Sequence, residues 1–463
     1  MNMKTRRFLS AFLLLCLIFS LCATPLALAD ETASKEVPDP AIQAKAALLV
    51  DQKTGTVLYQ KDIHKQLYPA SLTKIMTCLL VLQAVDAGTL KLDQQITAPA
   101  AAYSGLDEDG STANIKEGEI LTVEQLLYCL MVVSANESAN ILAVTVGGSI
   151  SDFVDMMNAE AEKLGCKDTH FANPIGLQDT QHYTSAWDLY LIAKEALNYD
   201  EFMTICDTAD IVLPATNLSK ERHLYSTNYL LSSFRATGYI DKDAHGIKTG
   251  STSDAGHCLV STASRGGLSF ISVVLGAEKV TLPSGKTQVQ SFSETSRLFD
   301  WGFDNFTYQT VLSPNDMLGS MEVTLSKDVD YVSLHPEAEV TVLMPKVLKP
   351  EDLTRTLRFT AKTTEAPVKK GEKLGEVQLS YGKTVYATAP LVAFNDVAAS
   401  RSLVLMNDVK QFFDKTLVRV ICAVVLILLA ALVVWKLTIG RRRYRYGKSV
   451  KQPQGYRGRR KRF

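Results

Sequence analysis

The segment YPASLTKIMT sets Ser71 three residues ahead of Lys74 at the predicted start of a helix. A serine hydroxyl attacks a carbonyl only when a neighbouring base removes its proton, and lysine is such a base only when burial or a second cation keeps it neutral. Taken alone, the pair reads more simply as a capping serine and a solvent-facing lysine, because S-x-x-K arises by chance about once or twice in a chain of this size. Two further clusters supply what the pair lacks. LMVVSANESAN puts the hydroxyl of Ser134 and the amide of Asn136 at the end of an apolar helix that starts near Thr122. HGIKTG brings Lys248, a cation able to depress the proton affinity of Lys74 and to attract a carboxylate, with Thr249 beside it. Gly250 follows and leaves room for a peptide along the strand. Residues of these types in this order point to acyl transfer through a serine nucleophile. No metal or cofactor is expected, since the seven histidines are scattered and no cysteine pair has zinc-site spacing.

These groups need elements to hold them. From Ser71 to Gly88 an apolar stripe of Leu72, Ile75, Met76, Leu79 and Leu82 predicts a helix with Gly88 as its stop. ALLVD and TVLYQ flank a Gln52–Gly55 turn, and CLVSTASR and LSFISVVLG flank Gly266-Gly267, so each pair predicts a β-hairpin. Early and late strands with helices between them predict an α+β domain over 46–305, one antiparallel sheet packed against a helical cluster. From 306 to 398 the pattern changes to short alternating strands, MEVTL, VTVLM, LRFTA and VQLSY, which predict a small all-β domain.

Together, the sets S-x-x-K, S-x-N and K-T-G resemble those of penicillin-binding proteins and serine β-lactamases. NPIGLQDTQHYTSAWDL (Asn173 to Leu189), STNYLL (Ser226 to Leu231), GIKTGST and the run from Ala366 to Val397 narrow the resemblance. The chain is most similar to the low-molecular-weight D-alanyl-D-alanine carboxypeptidases, the peptidase S11 family, over roughly Ala46 to Val397. That resemblance implies a transpeptidase-type domain, a penicillin-sensitive acyl-enzyme on Ser71, and a peptidoglycan stem peptide ending in D-Ala-D-Ala as substrate. It implies Lys74 as base, Ser134 as proton relay, Asn136 against the substrate amide, and Lys248 and Thr249 at the terminal carboxylate. The backbone N–H groups of Ser71 and Ser251 would form the oxyanion hole. Two departures stand out. Ser251 replaces a histidine common after K-T-G, and Ser291 stands where members often carry an arginine, whose role would fall to Lys286 or Arg297 or be lost. The same site would serve a transpeptidase or endopeptidase, or a wall-binding scaffold that has lost turnover. A β-lactamase needs a further acid, which Glu195 in EALN imitates one residue out of spacing.

The chain ends set the compartment. Residues 1–29 read as a cleaved secretory signal, with Lys4, Arg6 and Arg7 before an apolar run and Ala27-Leu28-Ala29 before Asp30. A linker follows over 30–45. At the other end, a juxtamembrane segment (399–417) precedes a predicted membrane helix (418–439) and a basic tail (440–463) with eleven Lys or Arg and no acid. The positive-inside rule puts that tail in the cytoplasm and the catalytic domain outside the cell membrane, in preference to a nucleic-acid-binding tail. Stripped of both ends, the formally neutral chain carries about −16, which disfavours polyanion partners. Five cysteines remain outside, an odd number, and are read as small buried residues.

Overall fold

The computed structural model of the protein describes Lys35, residues 37–107 and residues 109–445, with side chains to 438. The predicted signal segment and most of the basic tail lie outside the described residues.

The chain divides into two compact units, one running to Tyr308 and taking back Leu343–Lys349, the other holding Gln309–Val342 and everything from Pro350. In the first unit β1 (Ala46–Asp51) and β2 (Val57–Lys61) form the early hairpin. Six helices follow: α1 (Lys74–Asp86), α2 (Val123–Val132), α3 (Asn136–Gly147), α4 (Ile150–Lys163), α5 (Ala186–Ala196) and α6 (Asp200–Cys206). The chain then returns as β3 (Ala244–Thr252), β4 (Gly256–Arg265) and β5 (Leu268–Ala277), and ends on α7 (Gln290–Asn305). The five strands make one antiparallel sheet in the order β2-β1-β5-β4-β3.

Alternation along β1 explains the layering, because successive strand side chains point to opposite faces. Ala46, Leu48 and Val50 join the core beneath the helical cluster, whereas Ala47 and Leu49 join a second core under α7 with Phe270, Leu298 and Phe303. A sheet covered on both faces therefore holds the catalytic elements. Leu343 enters the second core and Lys346 donates to the carbonyls of neighbouring residues, its N–H to Asn305 and its ammonium to Phe303, both at 2.8 Å. Those contacts tie residues 343–349 to the first unit, and no periodicity announces them.

Helix α1 departs from the expected one-sided stripe. Every residue from Lys74 to Leu82 is buried. α2, α3 and α5 pack around it, so both of its faces are core faces. Each fully buried leucine or isoleucine there contributes about 2 kcal/mol, enough to hold a costly polar group in the same helix.

The second unit contains a six-stranded sheet in the order 354–359, 373–381, 384–393, 331–336, 319–324, 363–365. Its alternating residues Met321 and Val323, Val332 and Leu334, and Val377 and Leu379 are buried. Two helices follow, α8 (Arg401–Asp414), with no buried residue, and α9 (Thr416–Arg445). Within α9, Thr416–Thr438 has mean hydropathy 3.1 and is long and apolar enough to cross a membrane.

Candidate active site

Ser71 and Lys74 sit in different kinds of helix. Residues Ala70–Thr73 form a 3-10 turn and α1 begins at Lys74. In a 3-10 turn the side chains at i and i+3 eclipse, so the spacing of the pair becomes a direct contact. Nζ of Lys74 lies 3.0 Å from Oγ of Ser71. The turn is braced from below. Thr73 Oγ1 donates to the Ala70 carbonyl at 2.8 Å and lies 2.8 Å from Nε2 of His182. His182 Nδ1 accepts from the Ala172 N–H at 3.0 Å, so Nε2 carries the proton that reaches Thr73. Burial pushes this imidazole down to about 4, and it stays neutral at physiological pH. Histidine 182 thus has the structural role its loop-like neighbours suggest.

A loop from Asn173 to Leu177 closes the other side. Asn173 Oδ1 accepts from the N–H groups of Gly176 and Leu177 at 2.8 and 2.9 Å. A Cβ on Gly176, whose φ is +87°, would lie 1.9 Å from the Ala70 carbonyl oxygen, so only glycine permits this approach. The loop turns the Ile175 carbonyl toward Lys74, 2.7 Å from Nζ, while Asn136 Oδ1 approaches at 2.8 Å.

Lys74 is fully buried, and its pKa is held well below the ordinary lysine value. Burial is the largest cause, the Lys248 charge adds to it, and Glu137 opposes both. A neutral amine has two N–H donors and one lone pair. The Ile175 carbonyl and Asn136 Oδ1 accept the two donors, which leaves the lone pair for the Ser71 hydroxyl. The arrangement is chemically competent for proton removal from Ser71.

Ser134 stands between α2 and α3 with φ +65°. Its Oγ is buried and has no hydrogen-bond partner among the described residues. A capping box between Thr122 and Gln125 starts α2, and Ser138 Oγ donates to the Leu126 carbonyl at 2.6 Å, locking α3 against α2. The Asn136 N–H donates to the Ser111 carbonyl at 2.8 Å. Glu137 Oε1 gathers the Thr112 hydroxyl at 2.7 Å and the Ala113 N–H at 2.7 Å, pinning the loop that carries Ser111. Sequence reasoning passed over Glu137, although its place beside Asn136 in SANESAN was available.

The K-T-G residues lie on β3. Lys248 points into the protein, 1% exposed, and its ammonium donates to the Thr249 carbonyl at 3.1 Å. Burial pushes its pKa down to about 7; the Cys206 thiol opposes that shift and the Arg235 charge adds to it. Thr249 Oγ1 shares a 2.7 Å hydrogen bond with Thr227 Oγ1, and Asn228 Nδ2 donates to the Gly246 carbonyl at 2.8 Å, giving STNYLL a bracing role. Gly250 serves the protein before any substrate. A Cβ there would lie 2.8 Å from the Pro69 carbonyl oxygen, so the missing side chain lets β3 press on the nucleophile turn. Ser251 Oγ lies 3.2 Å from His257 Nδ1.

A cavity of about 300 Å³ is lined by Ser71, Ser134, Thr249, Gly250 and Ser251. Lys74 and Lys248 stand behind its wall, and Asn136 borders an adjoining cavity of about 400 Å³ that shares Ser111. Ser291 is buried at the cavity's edge. Neither cation considered for its missing arginine lines that cavity. Arg297 is exposed and donates to the Ala41 carbonyl, and the Lys286 ammonium lies over Gly238, 3.1 Å from where a Cβ would be. Arg235, from a loop with no motif, reaches the cavity instead. Glu195 bonds Asn198 at the surface end of α5 and does not line the cavity.

The comparisons agree with this architecture. A family profile described as peptidase S11, D-alanyl-D-alanine carboxypeptidase, matches residues 31–279, and one described as penicillin-binding protein 5, C-terminal domain, matches 306–399. D-alanyl-D-alanine carboxypeptidase DacF of Bacillus subtilis is 30% identical over 85% of this chain and 95% of its own. Penicillin-binding protein 5 of Haemophilus influenzae is 28% identical with TM-score 0.60, over 78% of this chain and 100% of the solved one. The Streptomyces K15 DD-transpeptidase, 30% identical with TM-score 0.51, covers 57% of this chain and 100% of its own, all within the range of one domain. With the serine–lysine turn, the S-x-N junction and the K-T-G strand converging on one cavity, and both domains matched, this chain belongs to the D-alanyl-D-alanine carboxypeptidase family.

Proposed function

We propose that the protein releases the terminal D-alanine from peptidoglycan stem peptides ending in D-Ala-D-Ala, through an acyl-enzyme on Ser71. The observation that carries this reading is the Lys74 amine, buried, with two acceptors for its N–H groups and 3.0 Å from the Ser71 hydroxyl. Ser71 Oγ attacks the carbonyl carbon of the penultimate D-alanine as its proton passes to Lys74. The backbone N–H groups of Ser71 and Ser251 receive the developing oxyanion, each donor typically worth on the order of 10² to 10³ in rate. The C–N bond breaks, the Ser134 hydroxyl relays a proton to the departing amine, and Asn136 holds the acyl chain's amide. Lys248 and Thr249 support the carboxylate end. Water then cleaves the ester, returning Ser71 and a shortened peptide. A β-lactam opens on Ser71 in the same way, with no leaving group to depart.

The test is D-alanine release from a pentapeptide ending in D-Ala-D-Ala by the full chain in detergent. Stoichiometric D-alanine with no added acceptor is the expected result. Product formation only when an amine acceptor is supplied would replace carboxypeptidase with transpeptidase, and no turnover by the folded chain would leave a wall-binding role.

The same proposal extends to the membrane. Thr416–Thr438 spans the bilayer, the basic tail from 440 lies in the cytoplasm, and the catalytic unit works outside. Protease added to intact wall-stripped cells should digest the catalytic unit and spare an epitope fused after Phe463. Protection of the catalytic unit with loss of the epitope would reverse the orientation.

A further inference from the structure

The cavity beside Ser71 has an uncompensated charge. Among the described residues that line it, Arg235 is the one lysine or arginine, and no aspartate or glutamate is present. Arg235 is exposed and makes no ion pair or hydrogen bond among the described residues. Its loop is nonetheless anchored: the neighbouring Phe234 ring stacks on Tyr225 with centroids 3.5 Å apart and planes 4° from parallel, and Thr227 ties the preceding segment to Thr249. The hydroxyls of Thr249, Ser251 and Ser291 surround the same space.

Lys248 is poorly placed to meet an anion alone. It lies behind the wall, 1% exposed, with its ammonium engaged by the Thr249 carbonyl. Burial also pushes its pKa down to about 7, so a large share of it is neutral at physiological pH. A guanidinium stays charged throughout and offers a planar fork that matches a carboxylate. We infer that Arg235 is the specificity-determining cation that reads the C-terminal carboxylate of the substrate, from a loop outside every recognised motif. This rests on the D-Ala-D-Ala reading of the cavity. The charge that orients the peptide terminus comes from residues between STNYLL and β3, and Lys248 acts chiefly on Lys74.

The experiment measures equilibrium binding of an acyl-Lys-D-Ala-D-Ala peptide and of its C-terminal amide. It uses full chains in detergent that carry Ser71→Ala, so that neither ligand is turned over. With Arg235 present, the acid should bind roughly 10- to 100-fold tighter than the amide. Arg235→Gln should bring the acid down to the amide's affinity and leave the amide unchanged, while Arg235→Lys should keep part of the preference. An acid-over-amide ratio that survives Arg235→Gln, or the absence of any preference while Arg235 is present, overturns the assignment. Catalytic failure is read separately, from D-alanine release by the chain with Ser71 intact. Release with a ratio insensitive to Arg235 sinks this inference alone; no release with an Arg235-dependent ratio sinks only the hydrolytic reading.

Discussion

Ser71→Ala should lower D-alanine release by roughly 10⁴- to 10⁶-fold, the range in which loss of a nucleophile leaves only binding and oxyanion stabilisation. The same variant should form no covalent penicillin adduct by intact mass, whereas the parent gains one β-lactam per chain. The fold should tolerate the change, because Ser71 is only partly buried and its Oγ makes one printed contact, with Lys74. An unchanged thermal midpoint beside lost release would therefore locate the defect in chemistry. The competing nucleophile is Ser134, also a hydroxyl at the cavity. It has no base at hydrogen-bond distance, since its Oγ is unpartnered among the described residues. Ser134→Ala should slow turnover yet still allow an adduct to form. An adduct that persists in Ser71→Ala and disappears in Ser134→Ala would exchange their roles.

The sequence announced this site through residues whose chemistry is useless unless they meet. Ser71, Ser134, Lys248 and Thr249 lie far apart along the chain, and their order was legible because each short motif bears its own chemistry. The hairpins were equally legible, since Gly266-Gly267 and the Gln52–Gly55 turn interrupt clean strand patterns. What the sequence concealed depends on contacts between distant segments. Helix α1 presents an apolar stripe, yet neighbours on every side bury it, and that enclosure is what displaces the Lys74 proton. Gly250 and Gly176 look like substrate clearance and turn residues; the space each leaves is filled by the nucleophile turn. Arg235 belongs to no periodic element, so only the folded loop discloses its reach. The cation substitutes Lys286 and Arg297 were chosen by nearness in sequence to Ser291, a poor guide across a turn into a helix.

Lys74→Arg should remove the general base, because a guanidinium remains protonated, and should cost roughly 10²- to 10⁴-fold in turnover. The finer test is where the acidic limb of kcat/KM lies, which reports the free enzyme's essential base. Activity needs neutral Lys74, so it falls as pH drops through that group's lowered pKa. Burial is the largest cause of the lowering and no surface substitution removes it. The two charges acting after burial have opposite signs, and each can be erased with a near-isosteric amide. Lys248 depresses Lys74, so Lys248→Gln should raise the Lys74 pKa and move the limb to higher pH. Glu137 supports the protonated form, so Glu137→Gln should move the limb to lower pH. The glutamine retains a carbonyl oxygen for the Thr112 hydroxyl and the Ala113 N–H, so the loop bearing Ser111 should keep its anchor. Because limb position is independent of amplitude, weaker substrate binding in Lys248→Gln does not confuse the reading. Opposite displacements identify Lys74 as the titrating base, poised between a buried ammonium and a buried carboxylate. Displacements of the same sign, or a limb that stays fixed in both variants, would assign the titration to another group and leave Ser71 without Lys74 as its base.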